Sequence, residues 1–450
     1  MTVRSALLGR AAPRSVADRP ARRGALSGAW LLSGATVASG VLAYAFHVLA
    51  ARALGAEGYG RIAVLWGAMF LGAIVLFRPI EQTASRAIAS RLARGWEVRS
   101  VVVSASRVAG IALVVASVAL GLAWVPISEA LFDGDRLLTA MLLAGIAGYG
   151  LSYLARGLLG GVRWFAGYGL GLVADGAARL LVALPLVAFA STGLAALAMV
   201  AAGLAGAAVP VWLGRRHLRA ALEPGAGERF RPGPTVAFAA PAAVIAGADQ
   251  VLVNGSPILV VLAGGAGASA TAGVVFAATM LVRVPVYVFQ GVAASILPNL
   301  TRLHVVEDAA GFRAAVRRIV GVLLGAAAVM TVGAVAVGPE AMRLLYGEGF
   351  DAGRTELGLL AVGVGSYLAA STISQALLAQ DRGRAAAAVW ACSAGIFVGL
   401  YVVLPGSELM RISSAFAVGM GVGALAVGGL LARYRRPPAP AAATPDGLLP

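Results

Sequence analysis

The sequence predicts an all-α, polytopic membrane protein with about twelve transmembrane helices arranged as two six-helix lobes. Three observations carry this expectation. The 450 residues are 60% apolar and 12% charged, with a mean hydropathy of +0.86, whereas a soluble chain carries roughly a quarter charged residues. Apolar windows of about 20 residues, the length that crosses a bilayer core, recur along the whole chain. The basic charge is all arginine, with no lysine, and it sits in short clusters between the windows. That is the pattern of membrane topology and not of a nucleic-acid surface.

The elements follow in order. Residues 1–24 hold six arginines and no apolar run longer than Ala6-Leu7-Leu8, which reads as a cytoplasmic tail and not as a cleaved signal peptide. Six spans are expected near 27–50, 62–82, 101–125, 137–160, 167–190 and 193–213. The stretch 214–234, with Pro224-Gly225-Ala226-Gly227 at its centre, is the longest internal polar segment and reads as a cytoplasmic linker. Six more spans are expected near 236–262, 272–299, 315–338, 356–379, 385–404 and 410–432. The residues from 434 to 450 are rich in proline and alanine and read as a disordered tail. The lone Cys392 falls within a span, so no disulfide forms within one chain.

Arginine placement orients these spans. With the N-terminus inside, the inner junctions hold 27 of the 36 arginines. The outer junctions hold Arg52, Arg61, Arg136, Arg343, Arg354 and Arg411, and three more fall within spans. The bias places both termini in the cytoplasm, in the cell membrane.

The halves 25–213 and 235–433 resemble one another. Gly60 maps to Gly273, Pro126 to Pro339 and Gly134 to Gly347 at one register, and Ser152-Tyr153-Leu154-Ala155 returns one residue further on as Ser366-Tyr367-Leu368-Ala369. Two six-span units that both begin inside form a parallel repeat about an axis along the membrane normal, an architecture of transporters.

Absences narrow the class. No outer junction is long enough for a catalytic domain. The sequence has no phosphate-binding glycine loop, dinucleotide turn or HExxH pair, and its three histidines lie in separate regions. No enzyme, cofactor, metal or nucleic-acid partner is expected.

Between the first two spans stands Ala51-Arg52-Ala53-Leu54-Gly55-Ala56-Glu57-Gly58-Tyr59-Gly60. An apolar span, this Ala-Arg-x-Leu-Gly-x-Glu-x-Tyr-Gly junction and a second span ending near Glu81-Gln82 resemble the start of the polysaccharide (O-antigen, lipid-linked oligosaccharide) flippases. These belong to the multidrug/oligosaccharidyl-lipid/polysaccharide exporter superfamily. The resemblance is strongest over 35–94 and continues loosely through Leu281-Val282-Arg283-Val284-Pro285. It implies alternating access of two lobes that moves a polyprenyl-linked oligosaccharide across the cytoplasmic membrane for polysaccharide or lipopolysaccharide biosynthesis. Implied partners are membrane lipids, a coupling ion (H+ or Na+), and a polysaccharide polymerase or glycosyltransferases.

The junction also has a purely physical reading. Gly55 supplies the turn that ends the first helix, and Arg52 complements that helix's dipole. Glu57 opens the approach to the second helix, Tyr59 suits the membrane–water interface, and Gly60 belongs to the repeat. A capped hairpin explains these residues, with a substrate contact as the alternative.

The intramembrane charges are the candidate site, because ionisable groups at depth cost about 2.5–3.5 kcal/mol each on insertion scales. Arg78 and Glu81 share one face of the second span as an i, i+3 pair. Asp175 and Arg179 form an i, i+4 pair that holds its helix without a substrate. Asp249 and Arg283 fall near the midplane of adjacent spans, where they could meet. Arg78, Arg283 and Arg179 suit phosphate oxygens, and Asp249, Glu81 and Asp175 suit gating or ion coupling. His47, near the outer end of the first span, reads as a satisfied packing histidine ahead of a proton site. A cation-coupled drug exporter, a polymerase- or ligase-type membrane enzyme and a non-transporting assembly partner remain as rival functions.

Overall fold

The computed structural model describes residues 18–223, 230, 233–265, 267–283, 309–378 and 382–433. The expected tails up to residue 17 and from 434, parts of the linker and the second half of the eighth span lie outside the described residues. In chain order the described helices are α1 (Asp18–Leu92), α2 (Arg99–Leu122), α3 (Trp124–Phe132), α4 (Arg136–Gly161), α5 (Phe165–Ala183), α6 (Thr192–Leu213) and α7 (Arg215–Ala221). They continue with α8 (Gly233–Asn254), α9 (Ser256–Gly264), α10 (Ser269–Val282), α11 (Ala309–Tyr346), α12 (Arg354–Leu378), α13 (Gly383–Val403) and α14 (Glu408–Ala432).

α1 is two helices folded back on each other. Nineteen residues of straight helix separate their ends by about 28 Å, yet the rings of His47 and Trp66 lie 4.4 Å apart. The reversal is at Gly55, with φ 66° and ψ −179°, a conformation that a side chain disfavours. The expected break at Gly55 is therefore where the chain turns.

Nine described helices are long and apolar enough to cross a membrane, or ten when the bent pair α8–α9 counts as one. This count differs from the expected twelve for two reasons. The folded-back α1 is one element carrying two passes, and the eighth span is described only over Ser269–Val282.

The seventh span was expected to be continuous over 236–262 and is instead bent by 65° between α8 and α9. Pro257 explains the break. It has no N–H to give the carbonyl four residues back, and its ring crowds that carbonyl, which belongs to Val253.

Two groups of helices result. α1 packs with α2, α4, α5 and α6, while α12 packs with α11 and α14, and α13 with α14 and α8. The groups meet where α1 lies against α8 and α10. The repeat is visible in this packing. α2 and the apolar part of α11, the third and ninth spans, each bury only 11% of their most apolar window. Their open faces, such as Val108, Ile111 and Val115 on α2 and Val329 and Val332 on α11, suit lipid. Gly134 and Gly347, matched in the repeat, both take positive φ (83° and 104°). Gly265, at the end of α9, repeats the conformation of Gly55 (φ 65°, ψ −151°). The turn survives in the second half although the charged residues around it do not.

At the arginine-rich end, the linker is tied to the first group. The Phe230 amide donates to Ser100 Oγ at 3.2 Å, and the Ser100 amide donates to Glu97 at 2.7 Å, capping α2.

Candidate functional site

The 51–60 junction joins the two groups at the Gly55 end. Gly60 and Gly273, paired in the repeat, face each other. A methyl group on Gly60 would collide with the Ser269 carbonyl, and one on Gly273 with the Ala56 carbonyl. Ala56-x-x-x-Gly60 and Ser269-x-x-x-Gly273 are thus two small-residue faces in backbone contact, related by the same shift as the repeat itself. Arg52, in the last turn before Gly55, reaches the other group. Its guanidinium donates to the Leu345 carbonyl at 2.8 Å and to the Leu344 carbonyl, capping α11 of the other group. Glu57 pairs with Arg61 at 2.8 Å, and Ser269 Oγ donates to Asp133 at 3.0 Å across the groups.

Tyr59 corrects an expectation. It is fully buried and not interfacial. Its hydroxyl contacts His47 Nδ1 at 3.2 Å, and its ring stands among Phe276, Tyr346 and Phe350 of the second group. Burial against the opposite lobe outweighs the interfacial preference of tyrosine, because the junction is a contact between lobes and not a free loop.

Within the first group, Asp175 and Arg179 form the expected pair, both more than nine-tenths buried. Arg156 also reaches Asp175, at 3.5 Å. Arg156 lies inside α4 with its side chain 12% exposed. Tyr149 completes the network. It accepts from Arg179 at 2.6 Å and donates to Asp175 at 3.4 Å. Arg179 also covers the Trp66 ring at 4.9 Å. Two arginines on one carboxylate, with a bridging hydroxyl, bind α4 to α5 and leave Arg179 engaged on several sides.

Arg78 and Glu81 share a helix face as expected but do not form an ion pair. Glu81 accepts from the Tyr168 hydroxyl of α5 at 2.7 Å. Arg78 is exposed between buried Phe77 and Pro79 and makes no hydrogen bond or ion pair among the described residues. It lies within electrostatic range of Tyr153, Asp249, Glu81 and Tyr168, so it faces the space between the groups. A methyl on Gly247 of α8 would stand 3.5 Å from Val75, one turn away.

Asp249 and Arg283 do not meet directly. They are the ends of one chain of side chains. The Tyr367 hydroxyl and Gln250 Nε2 each donate to Asp249 at 2.8 Å, and Asn254 Nδ2 donates to Gln250 at 2.7 Å. Arg283 donates to Asn254 Oδ1 at 3.3 Å and to the Val253 carbonyl at 2.8 Å. That carbonyl is the one left without a helical donor by Pro257, so Arg283 supplies what the proline removed. Arg283→Ala is expected to destabilise the protein by about 1–3 kcal/mol, the cost of a stranded buried acceptor. Adding Pro257→Ala, which restores an N–H, should recover most of it in a thermal unfolding assay. No recovery would show that the helix break is held by something other than this arginine.

Tyr149, Tyr168, Tyr367 and Arg156 were not singled out from sequence as members of the site. Only Tyr153 and Tyr367 carried a signal, as the matched tyrosines of the repeat. Among the described residues, four guanidinium groups (Arg78, Arg156, Arg179, Arg283) stand with three carboxylates (Glu81, Asp175, Asp249), and no group of His, Cys, Asp and Glu side chains is arranged to hold a metal.

Comparison with known proteins gives a fold. No family model matches the chain. Uncharacterized proteins from Mycobacterium bovis and Mycobacterium tuberculosis are 28% identical over 433 residues, covering 92% of this chain and 96% of theirs. The structure of the lipid II flippase MurJ in an inward closed conformation aligns with a TM-score of 0.67 at 14% identity, over 89% of this chain and 87% of that one. A multidrug resistance MATE family transporter of the MOP superfamily aligns in its inward-facing conformation with a TM-score of 0.66 at 17% identity, over 88% of this chain and 94% of that one. Its outward-facing conformation gives 0.64 at 14% identity, covering 90% and 94%. The chain therefore has the helical fold these membrane proteins share.

Proposed function

We propose that the protein is a transporter that flips a polyprenyl-linked oligosaccharide from the cytoplasmic to the outer leaflet by alternating access, for polysaccharide or cell-envelope synthesis. The Gly55 end is taken as outer and the arginine-rich end as cytoplasmic, following the distribution of arginine. The head group would cross between the lobes while the polyprenyl tail stays in lipid. Arg78 carries the reading. A guanidinium in an apolar span costs several kcal/mol to insert, and this one is kept exposed toward the space between the lobes without an internal partner among the described residues. Its planar fork suits the two oxygens of a phosphate. Asp249 and Glu81, in electrostatic range of it, are positioned to take the guanidinium back once the anion leaves, and either could carry a coupling H+ or Na+. The likeness to a lipid II flippase fits this reading.

The MATE likeness favours a second reading, a cation-coupled drug exporter that uses its buried carboxylates. The shared hold of Arg156 and Arg179 on Asp175 weakens it, because that carboxylate is already neutralised.

The test is a proteoliposome assay with a fluorescent polyprenyl-pyrophosphate oligosaccharide. Arg78→Ala is expected to slow flipping at least about tenfold without loss of folded protein, and Arg78→Lys to retain part of the rate, since one lost charged hydrogen bond is worth about 1.5–3 kcal/mol. A normal rate in Arg78→Ala would overturn the reading. Wild-type transport of an organic cation in place of the lipid would establish the exporter.

A further inference from the structure

His47 was expected to be a satisfied packing histidine, and it is not satisfied. It is fully buried where the lobes touch at the Gly55 end. Phe46, Tyr59 and Trp66 of the first lobe and Phe276 of the second surround its ring, with centroids 4.4–6.0 Å away. Nδ1 meets the Tyr59 hydroxyl, while Nε2 is buried with no hydrogen-bond partner among the described residues. Tyr59 extends the same cluster to Tyr346 and Phe350 of α11.

Among the described residues, the charged groups that act most on this ring are both cationic. Arg179 comes from α5 and Arg283 from the end of α10. Behind Arg179 stands Asp175, which Arg156 and Arg179 already hold. Behind Arg283 stands the neutral Asn254. The titratable group in contact with the ring is Tyr59, which can accept from Nδ1–H but offers no negative charge. A second proton would therefore place a cation within electrostatic range of two guanidinium groups, with no acceptor for its Nε2–H among the described residues. Trp66 could offer its ring face to a cation, but Arg179 already covers that ring.

We propose that His47 is a proton-binding site that gates the outer closure: the lobes close at the Gly55 end only around a neutral His47. When the outer side opens, water reaches the ring and an outside proton adds to Nε2. Closure must first return that proton to water, so an acidic exterior holds the outer side open. This rests on the alternating-access reading above and adds to it the ligand that biases one state.

The test is a distance measurement in the full-length protein in lipid nanodiscs. Spin labels are placed at Ala190→Cys and Glu348→Cys, exposed outer-end positions on opposite lobes, in a Cys392→Ser background. An ordinary imidazole gains about tenfold in protonated fraction between pH 7.5 and pH 5. The expected result is one short distance at pH 7.5 and a longer one gaining several-fold at pH 5, with the longer one absent at both pH values in His47→Gln. His47→Phe should behave as His47→Gln does; if it does not fold, the glutamine variant decides. The same pH-driven lengthening in His47→Gln, or no lengthening in the parent, would overturn the proposal. pH-driven opening in a protein that moves no lipid-linked oligosaccharide would leave this site standing and overturn the function proposed above.

Discussion

Asp175→Asn is expected to destabilise the protein by about 3–5 kcal/mol, the range for removing one member of a buried ion pair. The carboxylate is 4% exposed and holds Arg179, Arg156 and the Tyr149 hydroxyl together. Asparagine keeps one acceptor oxygen but turns an amide N–H2 toward a guanidinium and removes a carboxylate that both arginines pair with. Two buried cations then lose the charge they share across α4 and α5, with Glu81 still in electrostatic range of Arg156. The measurement is the loss of folded protein after heating in detergent, read by size exclusion. Adding Arg179→Met should recover part of the loss, because it removes one stranded charge and leaves a flexible apolar chain against Trp66. An unchanged melting temperature in Asp175→Asn would mean that the network is solvated and contributes little.

Gly60→Ala should have the largest effect on conformation. Its methyl would overlap the Ser269 carbonyl and lie 3.0 Å from the Gly273 nitrogen. Backbone atoms cannot rotate aside, so the helices must separate. Overpacking of this kind costs about 1–3 kcal/mol, equivalent to a roughly 5- to 150-fold shift away from contact at the Gly55 end. Gly273→Ala should act alike from the other helix, whereas Gly34→Ala, with nothing within 4 Å of the added carbon, should change nothing. Labelling of a cysteine introduced at Phe350, buried in this contact, reads the shift: it should rise in both gate variants. Equal labelling in all three would show that this end is not closed by the glycine pair.

Together, these two sites indicate which features were legible from sequence. Span positions, the turn at Gly55 and the Asp175–Arg179 pair were readable because each depends on local hydropathy, one backbone conformation or one helical turn. The Gly60–Gly273 match was also readable, though only as an internal repeat. Partners from distant spans were not readable. Nothing in the composition of α4 says that Arg156 turns inward, and nothing around Arg52 names the carbonyls of α11. Pro257 signals a break, but the donor that answers it lies 26 residues away on another helix.

By itself, the sequence determined that this chain lies in a membrane as repeated apolar helices, and which few charges must be accounted for. Hydrophobic length and charge placement act along the chain, so they survive without coordinates. The tertiary structure decided which of those charges are used up. Packing within each lobe spends Arg179 on Asp175 and Arg283 on a carbonyl, and packing between the lobes spends Arg52 on a helix end of the other lobe. The same packing leaves Arg78 exposed between the lobes and one nitrogen of His47 without a hydrogen-bond partner among the described residues. Hydrogen bonds and ion pairs between spans are set by distance in three dimensions, and spacing along the chain does not encode it.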